Sequence, residues 1–208
     1  MKRLLLFISL LVATSVVAQD YSSIIKDEET LNYYKDKNNH FSFMGISFCQ
    51  STRSFKSELK KKGWKLNSHL MDYYSNKRPD LLFYNGNFSG ENASAIVNTH
   101  NEKLVYAIQI TLNFKDDNVL ESKRTRIIET IKEKYKYSEE ITMDSNGNNS
   151  YSYKIYSSDE KIIGFISINI IEYNDVEVEK EYGKNGLSIM YQDYLNTKFT
   201  LEFEKTDI

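Results

Sequence analysis

Apolar and polar residues alternate over several stretches of the chain, and the pattern is clearest in residues 104–114. One side of this stretch carries Leu104, Tyr106, Ile108, Ile110, Leu112 and Phe114, and the other carries Gln109, Thr111 and Asn113. Such alternation is typical of a β-strand with one buried side. Similar runs predict strands at 81–88, 93–99, 151–156, 162–172 and 187–195, with a last strand through Phe199, Leu201 and Phe203. The short loops between neighbouring runs favour antiparallel hairpins.

Two stretches have the periodicity of amphipathic helices. The first follows the capping pair Ser51-Thr52, places Phe55 and Leu59 on one side, and ends at Gly63. The second is predicted to start at Asn118, with Glu121 as its capping-box partner. Its apolar stripe consists of Leu120, Ile127, Ile128, Ile131 and Tyr135. Residues 41–48 predict an extended segment, whereas 67–77 and the turn-rich 144–149 predict loops.

This order of elements predicts an α+β fold in which an antiparallel sheet packs on two helices. A helix followed by three strands occurs twice, which indicates a tandem α-βββ pseudo-repeat of element order. We therefore expect one domain over residues 40–208, with halves of about 40–115 and 116–208.

The first residues have the features of a secretory signal peptide. Lys2 and Arg3 precede an apolar run, and cleavage is expected between Ala18 and Gln19. A membrane anchor is the weaker alternative, because the run is short for a bilayer core of about 30 Å. We expect residues 1–18 to be removed, residues 19–39 to form a polar tether that docks as a short helix, and the product to be periplasmic or extracellular without membrane insertion.

Composition narrows the classes of function. Hydrophobic residues make up 40% of the 208 residues, enough for a real core. The net charge of −2 argues against a nucleic-acid partner. The one cysteine excludes an internal disulfide framework and a cysteine zinc cage.

Some apolar and turn positions resemble a known group of proteins. Gly45-Ile46-x-Phe48 and Phe55-x-x-x-Leu59-x-x-Lys62-Gly63-Trp64 are followed by Phe88-Ser89-Gly90, by residues 105–110 (VYAIQI) and by residues 131–135 (IKEKY). This pattern resembles uncharacterised secreted α+β proteins of anaerobic Gram-negative gut bacteria. The resemblance covers roughly residues 44–195. It implies the fold and an envelope location, and it brings no known catalytic residues.

The residues that carry common chemistries do not assemble into a motif. His40, His69 and His100 lack the i, i+4 spacing of a helical zinc site. In residues 144–155, Asn149 and Ile155 occupy the positions at which an EF-hand has its sixth-position Gly and twelfth-position Glu. Cys49 lies beside apolar residues, which favours an inert thiol. The acid pairs Asp116-Asp117 and Glu139-Glu140 are better explained as solvated residues. We therefore predict no catalytic residues, no metal, no cofactor and no enzymatic activity.

The sixteen tyrosines are the unusual feature of the composition. Tyrosine suits recognition surfaces, although it is also a good strand residue. Alternation places Tyr151 and Tyr153 on one side of their strand and Tyr156 on the other. Lysines on the first predicted helix form a basic face, whose alternative is simple solvation. The predicted binding residues are Tyr73, Tyr74, Tyr151, Tyr153, Tyr156, Lys60 and Lys61.

The first functional hypothesis is a secreted, non-enzymatic module that captures another protein, as inhibitors and immunity proteins do. Several small secreted inhibitors combine helices with an antiparallel sheet, which is an analogy of fold alone. The alternative is a periplasmic carrier or binder of a glycan, a cell-wall fragment or a lipid. A hydrolase with dispersed acids is a third, weaker hypothesis.

Overall fold

A computed structural model describes residues 21, 25–74, 76–143, 147, 149–173 and 183–204. The predicted signal peptide and most of the turn at 144–149 lie outside these residues. The described helices are α1 Glu28–Lys35, α2 Thr52–Lys61, α3 Ser68–Tyr74, α4 Asp117–Lys134 and α5 Tyr194–Glu204, with a 3₁₀ turn at Lys37–Asn39. The strands are β1 Ser42–Phe43, β2 Ile46–Ser47, β3 Lys65–Leu66, β4 Leu81–Phe88, β5 Glu91–His100, β6 Leu104–Phe114, β7 Lys136–Met143, β8 Asn149–Tyr156, β9 Ile162–Glu172 and β10 Asn185–Asp193.

Eight of these strands form one antiparallel sheet in the order β3-β4-β5-β6-β10-β9-β8-β7. Strands β4 to β6 form one meander and β7 to β10 form a second, and the pairing of β6 with β10 joins them. Strands β1 and β2 form a separate hairpin. The predicted α+β fold with an antiparallel sheet is therefore confirmed. The tandem order of one helix and three strands is not confirmed, because α4 is followed by four strands.

The main core lies between the sheet and helices α2 and α4, and we call this side of the sheet the inner face. Phe55 and Leu59 of α2 and Ile127 and Ile131 of α4 pack there. The strands contribute a continuous apolar layer that includes Val97, Ile108, Ile110, Ile166, Ile168, Leu187 and Ile189. The two predicted helices thus bury their predicted stripes, because the i, i+4 spacing places those side chains on one side.

Close packing at the inner face requires a glycine in β4. A methyl group added at Gly86 would lie 2.4 Å from the Trp64 ring, which is 1% exposed. Trp64 follows the turn that ends α2, where the amide of Gly63 donates to the carbonyl oxygen of Lys60. The only tryptophan in the sequence is therefore packed flat against backbone.

Capping places the start of α4 one residue before the predicted start. The carboxylate of Asp116 accepts a hydrogen bond of 2.8 Å from the amide of Asn118, so Asp116 is the N-cap and Asp117 the first helical residue. The prediction of a start at Asn118 with Glu121 as capping partner is wrong in this detail. In α2 the predicted cap is confirmed, since the Ser51 hydroxyl accepts from the amide of Ser54.

A β-bulge in β6 corrects the predicted face of that strand. The register with β5 shifts between Asn98 and Thr99, which pair with Ala107 and Val105 and leave Tyr106 as the extra residue. Val105 therefore joins the main core, while Tyr106 is half-exposed. The predicted set with Tyr106 facing the core is wrong at this position because strict alternation ends at the bulge.

The C-terminal segment is helical and not the predicted last strand. Residues Tyr194–Glu204 form α5, and Asp193 caps it by accepting a 2.8 Å hydrogen bond from the amide of Asn196. Leu195 and Phe199 lie one helical turn apart and are both buried. Helical spacing at 195 and 199 therefore prevails over the alternation of 199, 201 and 203.

Helix α3 and strands β3 and β7 are absent from the sequence-based prediction. The stretch 67–77, predicted as a loop, contains helix α3, and β7 was not predicted at all. Most side chains of β7 are exposed, since it is the last strand at its edge of the sheet. An edge strand that is polar on both sides gives little alternation to detect.

The two ends of the described chain meet at one end of the sheet. Tyr21 and Tyr34 pack with Leu104, Leu195 and Phe199, which we call the terminal cluster. The segment predicted as a tether therefore contains a docked helix, α1, with Tyr34 buried. Among the described residues no helix is both long and apolar enough to cross a bilayer.

Candidate functional site

The side of the sheet opposite α2 and α4, which we call the outer face, carries a regular array of mostly polar side chains. Cross-strand register aligns them in rows that each run over seven strands, from β7 at one edge to β4. The row that we call the polar row consists of Thr142, Ser150, Asn169, Ser188, Thr111, Ser94 and Asn85. All its members are hydroxyl or amide residues.

Two further rows flank the first in the same register. The middle row consists of Glu140, Ser152, Ser167, Met190, Gln109, Ile96 and Phe83. The last row consists of Ser138, Lys154, Phe165, Gln192, Ala107, Asn98 and Leu81. These rows mix small polar side chains with a few apolar ones.

Charge is scarce on the outer face. The chain as a whole is 27% charged, yet Glu140 and Lys154 are the only charged residues in the three rows. Both lie on β7 and β8, near one edge of the sheet. The centre of the outer face is therefore neutral, which is unlike an ordinary solvated surface in a chain of this composition.

Most hydrogen-bonding groups on the outer face are available to another molecule. The Gln109 side chain donates to the Ser188 hydroxyl over 2.9 Å, and the Ser150 hydroxyl donates to Asn169. The side chains of Ser94, Thr111 and Ser167 make no hydrogen bond within the part of the chain that the structure describes. These groups hydrogen-bond to water or to a ligand.

The outer face is hollowed at two places. An open groove of about 410 Å³ lies over β7 to β10 and is lined by Ser152, Lys154, Ser167 and Met190, among others. A second hollow of about 620 Å³ lies over β4 to β6, beside Asn85, Ser94 and Asn113. Short side chains leave this space open, since serine and asparagine do not fill the volume above the strands.

Helices α3 and α5 border the outer face. Tyr74 of α3 stacks on Phe83 with ring centroids 5.2 Å apart, and Tyr194 of α5 contacts Phe165 edge-on at 6.1 Å. These aromatic contacts fix the two helices to the sheet. Helices α3 and α5 therefore adjoin the neutral rows.

Two of the predicted binding residues, Tyr151 and Tyr153, lie on the inner face of the sheet. Tyr153 is 0% exposed and packs in the main core, with its hydroxyl donating to Glu139 over 2.7 Å. Tyr151 is half-buried on the same inner face, where Arg124 lies 5.6 Å from its ring centroid. Tyr153 is thus not accessible to a partner, and its burial follows from its pairing with core residues of β9.

The remaining predicted residues are divided between two regions. Tyr156 is on the opposite side from Tyr153, as predicted, and its hydroxyl lies 3.2 Å from that of Ser138 on the outer face. Tyr73 is 60% exposed on α3, beside Tyr74. Lys60 and Lys61 lie on α2, which packs on the inner face, so the structure does not bring them to the tyrosines.

A buried polar network adjoins the terminal cluster. The Nδ1 atom of His40 lies 3.1 Å from Asp193, and its Nε2 lies 2.7 Å from the carbonyl oxygen of Tyr34. Asp193 also accepts from the amide of Phe41 over 2.8 Å, and the Tyr21 hydroxyl donates to Asn196 over 2.7 Å. Both imidazole nitrogens thus donate, which describes a charged imidazolium paired with a carboxylate.

The electrostatics of this network favour structure over catalysis. Burial by itself lowers the pKa of His40, but hydrogen bonds to Asp193 and Cys49 outweigh it and raise the pKa to about 10. A histidine that stays protonated does not serve as a general base near neutral pH. The half-buried thiol of Cys49 points to the carbonyl oxygen of Lys35 at 3.4 Å. The network therefore links the N-terminal segment to the start of α5.

The acidic pairs also do not form a common site. Glu139 faces inward, where burial opposes but Tyr153 and Lys132 together lower its pKa, while Glu140 belongs to the outer face. Asp116 caps α4, and Asp117 accepts from the Asn185 side chain over 2.9 Å. Over the described residues, no group of three or more His, Cys, Asp and Glu side chains is arranged to hold a metal ion.

Comparison of the chain with protein-family models, with curated proteins and with solved structures finds no match. The candidate site therefore rests on its own geometry.

Sequence reasoning found part of the outer face and missed its extent. The alternation of Gln109, Thr111 and Asn113 marks the outer side of β6 in the sequence. The matching residues of β9 and β10 are visible only once the register is known. The outer side of β5 is indicated in the sequence by Ser94, Ile96 and Asn98, which alternate with the buried apolar residues of that strand.

Proposed function

We infer that the protein is exported and acts without catalysis, by binding another protein through the outer face of its sheet. The observation that carries this proposal is the neutral centre of the three rows, with hydroxyl and amide groups that lack partners among the described residues. An inhibitor or immunity protein works through such a surface.

The scarcity of charge on the outer face favours protein recognition. Charged residues are depleted from the cores of protein interfaces, because their desolvation is costly. Serine, threonine and asparagine lose less rotamer freedom on binding than lysine or glutamate. A surface with few long charged side chains therefore binds at a smaller entropic and desolvation cost.

The dimensions of the outer face suit a protein partner. Seven strands at a spacing of about 4.8 Å place the ends of a row about 29 Å apart. A standard interface buries about 800 Å² on each partner, which corresponds to a patch about 28 Å across. The rows together with α3 and α5 offer a surface of this size.

Site-specific photo-crosslinking tests the proposal. A photoreactive phenylalanine analogue at Thr111 should yield one adduct of defined mass in the native organism, and the same analogue at Lys60 of α2 should not. Thr111→Lys and Ser94→Lys should abolish capture of that partner, because each places an unpaired charge in the interface. Equal adducts at both positions, no adduct at Thr111, or capture unchanged by the lysine variants would refute the proposal.

A glycan or cell-wall fragment is the second candidate ligand, and the same hydroxyl and amide groups favour it. Asparagine and serine side chains hydrogen-bond sugar hydroxyls as readily as peptide groups. Thermal unfolding with soluble glycans and cell-wall fragments separates the two candidates, since a ligand raises stability by mass action. A rise in Tm that Thr111→Lys removes would favour the glycan over the protein.

Export is tested independently of binding. Amino-terminal sequencing of the native product should begin at Gln19, with the product outside the cytoplasm. An intact Met1 on a cytoplasmic product would contradict export and leave the binding face to be judged by the crosslinking experiment.

A further inference from the structure

A further pocket lies on the inner face of the sheet and is separate from the two hollows of the outer face. It has a volume of about 220 Å³ and lies where α4 meets the β1–β2 hairpin, the β4–β5 turn and β10. Its apolar wall includes Met44, Phe88, Ile127, Ile131, Tyr135 and Tyr191. An apolar cavity of about 150 Å³ suffices for benzene, so this pocket has room for a ligand with one aromatic ring.

The wall also contains the hydroxyl group of Tyr191. The Tyr191 side chain is 7% exposed and packs between Phe43 and Phe88. Its hydroxyl makes no hydrogen bond within the described part of the chain. Because Tyr191 lines the pocket, this hydroxyl is able to hydrogen-bond to a polar atom of a bound ligand.

The charge at the pocket is positive. Lys134 lies at the rim, exposed, with its ammonium 5.0 Å from the centre of the Tyr135 ring. It forms no ion pair with another residue that the structure describes. The residues that line the pocket include no acid, and nearby Lys123 is neutralised by Glu91 at 2.8 Å. Lys134 is thus a cation available to an anionic ligand.

The backbone at the pocket is held in an uncommon conformation. Met44, at the turn between β1 and β2, has φ of 51°, in the left-handed region that a methionine seldom adopts. With Gly45 at φ 76° it forms a two-residue hairpin turn with both values positive. This turn places Met44 in the wall of the pocket.

The geometry points to a binding site for a small aromatic monocarboxylate, with its ring among Phe88, Ile127 and Ile131 and its carboxylate at Lys134. The apolar wall accepts the ring, and the cation at the rim selects the acid over a neutral or basic analogue. This site is independent of the outer face and of any protein bound there.

Binding is tested with phenylacetate as the probe and phenethylamine as its oppositely charged analogue. Titration followed by NMR should show saturable shifts at Ile127, Ile131 and Met44 with a Kd of about 1 mM or tighter for the acid. The amine should bind at least about tenfold more weakly, because it meets a like charge. Equal binding of acid and amine, or no saturation by the acid, would overturn the assignment.

Variants locate the site on the protein. Lys134→Gln should weaken phenylacetate binding by about threefold, as expected for an exposed charge pair, whereas Arg126→Gln on the exposed side of α4 should leave it unchanged. Thr130→Trp should fill the pocket from its exposed rim and abolish binding without disturbing the core. Circular dichroism confirms that each variant is folded. Binding that survives Thr130→Trp, or that falls equally with Arg126→Gln, would place the probe elsewhere.

Discussion

The buried polar network at the end of the sheet and the outer face of the sheet use polar residues in opposite ways. In the network, His40, Asp193 and Asn196 are buried and hydrogen-bonded to groups far away in sequence. On the outer face, the side chains of Ser94 and Thr111 make no hydrogen bonds to the rest of the described chain. The comparison separates polar residues that stabilise the fold from polar residues that remain available for binding.

The partners of the network explain its role. Asn196 donates to the carbonyl oxygens of Phe48 and Val105, and Asp193 accepts from the amide of Phe41. These bonds join the N-terminal segment, β6 and α5 at one point. Removal of a network residue therefore disconnects three parts of the chain, whereas replacement of Ser94 or Thr111 breaks no side-chain hydrogen bond within the described chain.

The largest expected effect is that of Asp193→Ala. It leaves His40 buried without its carboxylate and two amides without their acceptor, and the loss of one partner of a buried pair costs about 3–5 kcal/mol. The free energy of unfolding from urea denaturation measures this. Asp159→Ala is the control, since it removes an exposed pair with Lys161 that contributes about 0–1 kcal/mol. Equal effects of the two variants would contradict the distinction.

The second prediction concerns pH. The pKa of His40 is raised from 6.5 to about 10 on folding, so its stabilisation is complete below pH 6.5 and is lost as pH rises towards 10. The free energy of unfolding should fall between pH 6.5 and 9 by up to about 1.4 kcal/mol per pH unit. In His40→Gln this fall should be much smaller. A flat profile in the parent protein would refute the charged pair.

A smaller effect is expected from Gly86→Ala on the inner face. The new methyl group would meet the Trp64 ring at 2.4 Å, and overpacking of this kind costs about 1–3 kcal/mol. Asn85→Ala, the neighbouring position on the outer face, should change stability by less than about 0.5 kcal/mol. Urea denaturation followed by the fluorescence of Trp64 measures both variants. A reversed order of the two effects would mean that the faces are wrongly assigned.

The smallest effect on stability is expected from variants of the outer face. Thr111→Lys and Ser167→Lys should each change the free energy of unfolding by no more than about 0.5 kcal/mol, because neither side chain has a partner in the described chain. A loss above about 2 kcal/mol in thermal or urea unfolding would show that these residues belong to the structure and not to a free surface.

The sequence predicted the elements whose periodicity is unambiguous. Core-facing and outward-facing residues alternate along most of β5, β6 and β9. Helix α2 has its cap, its Phe55–Leu59 pair and its terminal glycine. Helix α5 was mispredicted because residues 195–203 satisfy two periods at once. The burial of Leu195 and Phe199 against the terminal cluster decides between them, and that contact depends on the fold.

The composition of the outer face was less predictable than the fold. Each strand shows its own polar side, but the polar row exists only through the register of seven strands. Tyr153 illustrates the difficulty, since tyrosine suits both a surface and a core, and its neighbours Ile166 and Ile168 on β9 are known only from the pairing. Composition identified the aromatic residues but not the side of the sheet on which they lie.

The position of β10 has a consequence for biosynthesis. This strand is the last of the sheet in sequence but lies at its centre, where it alone connects β6 to β9. While the chain is being synthesised, each meander has an unpaired edge until residues 185–193 leave the ribosome. Completion of the native sheet is thus postponed until β10 has been synthesised, and nascent chains that stop before β10 should depend on chaperones to remain soluble.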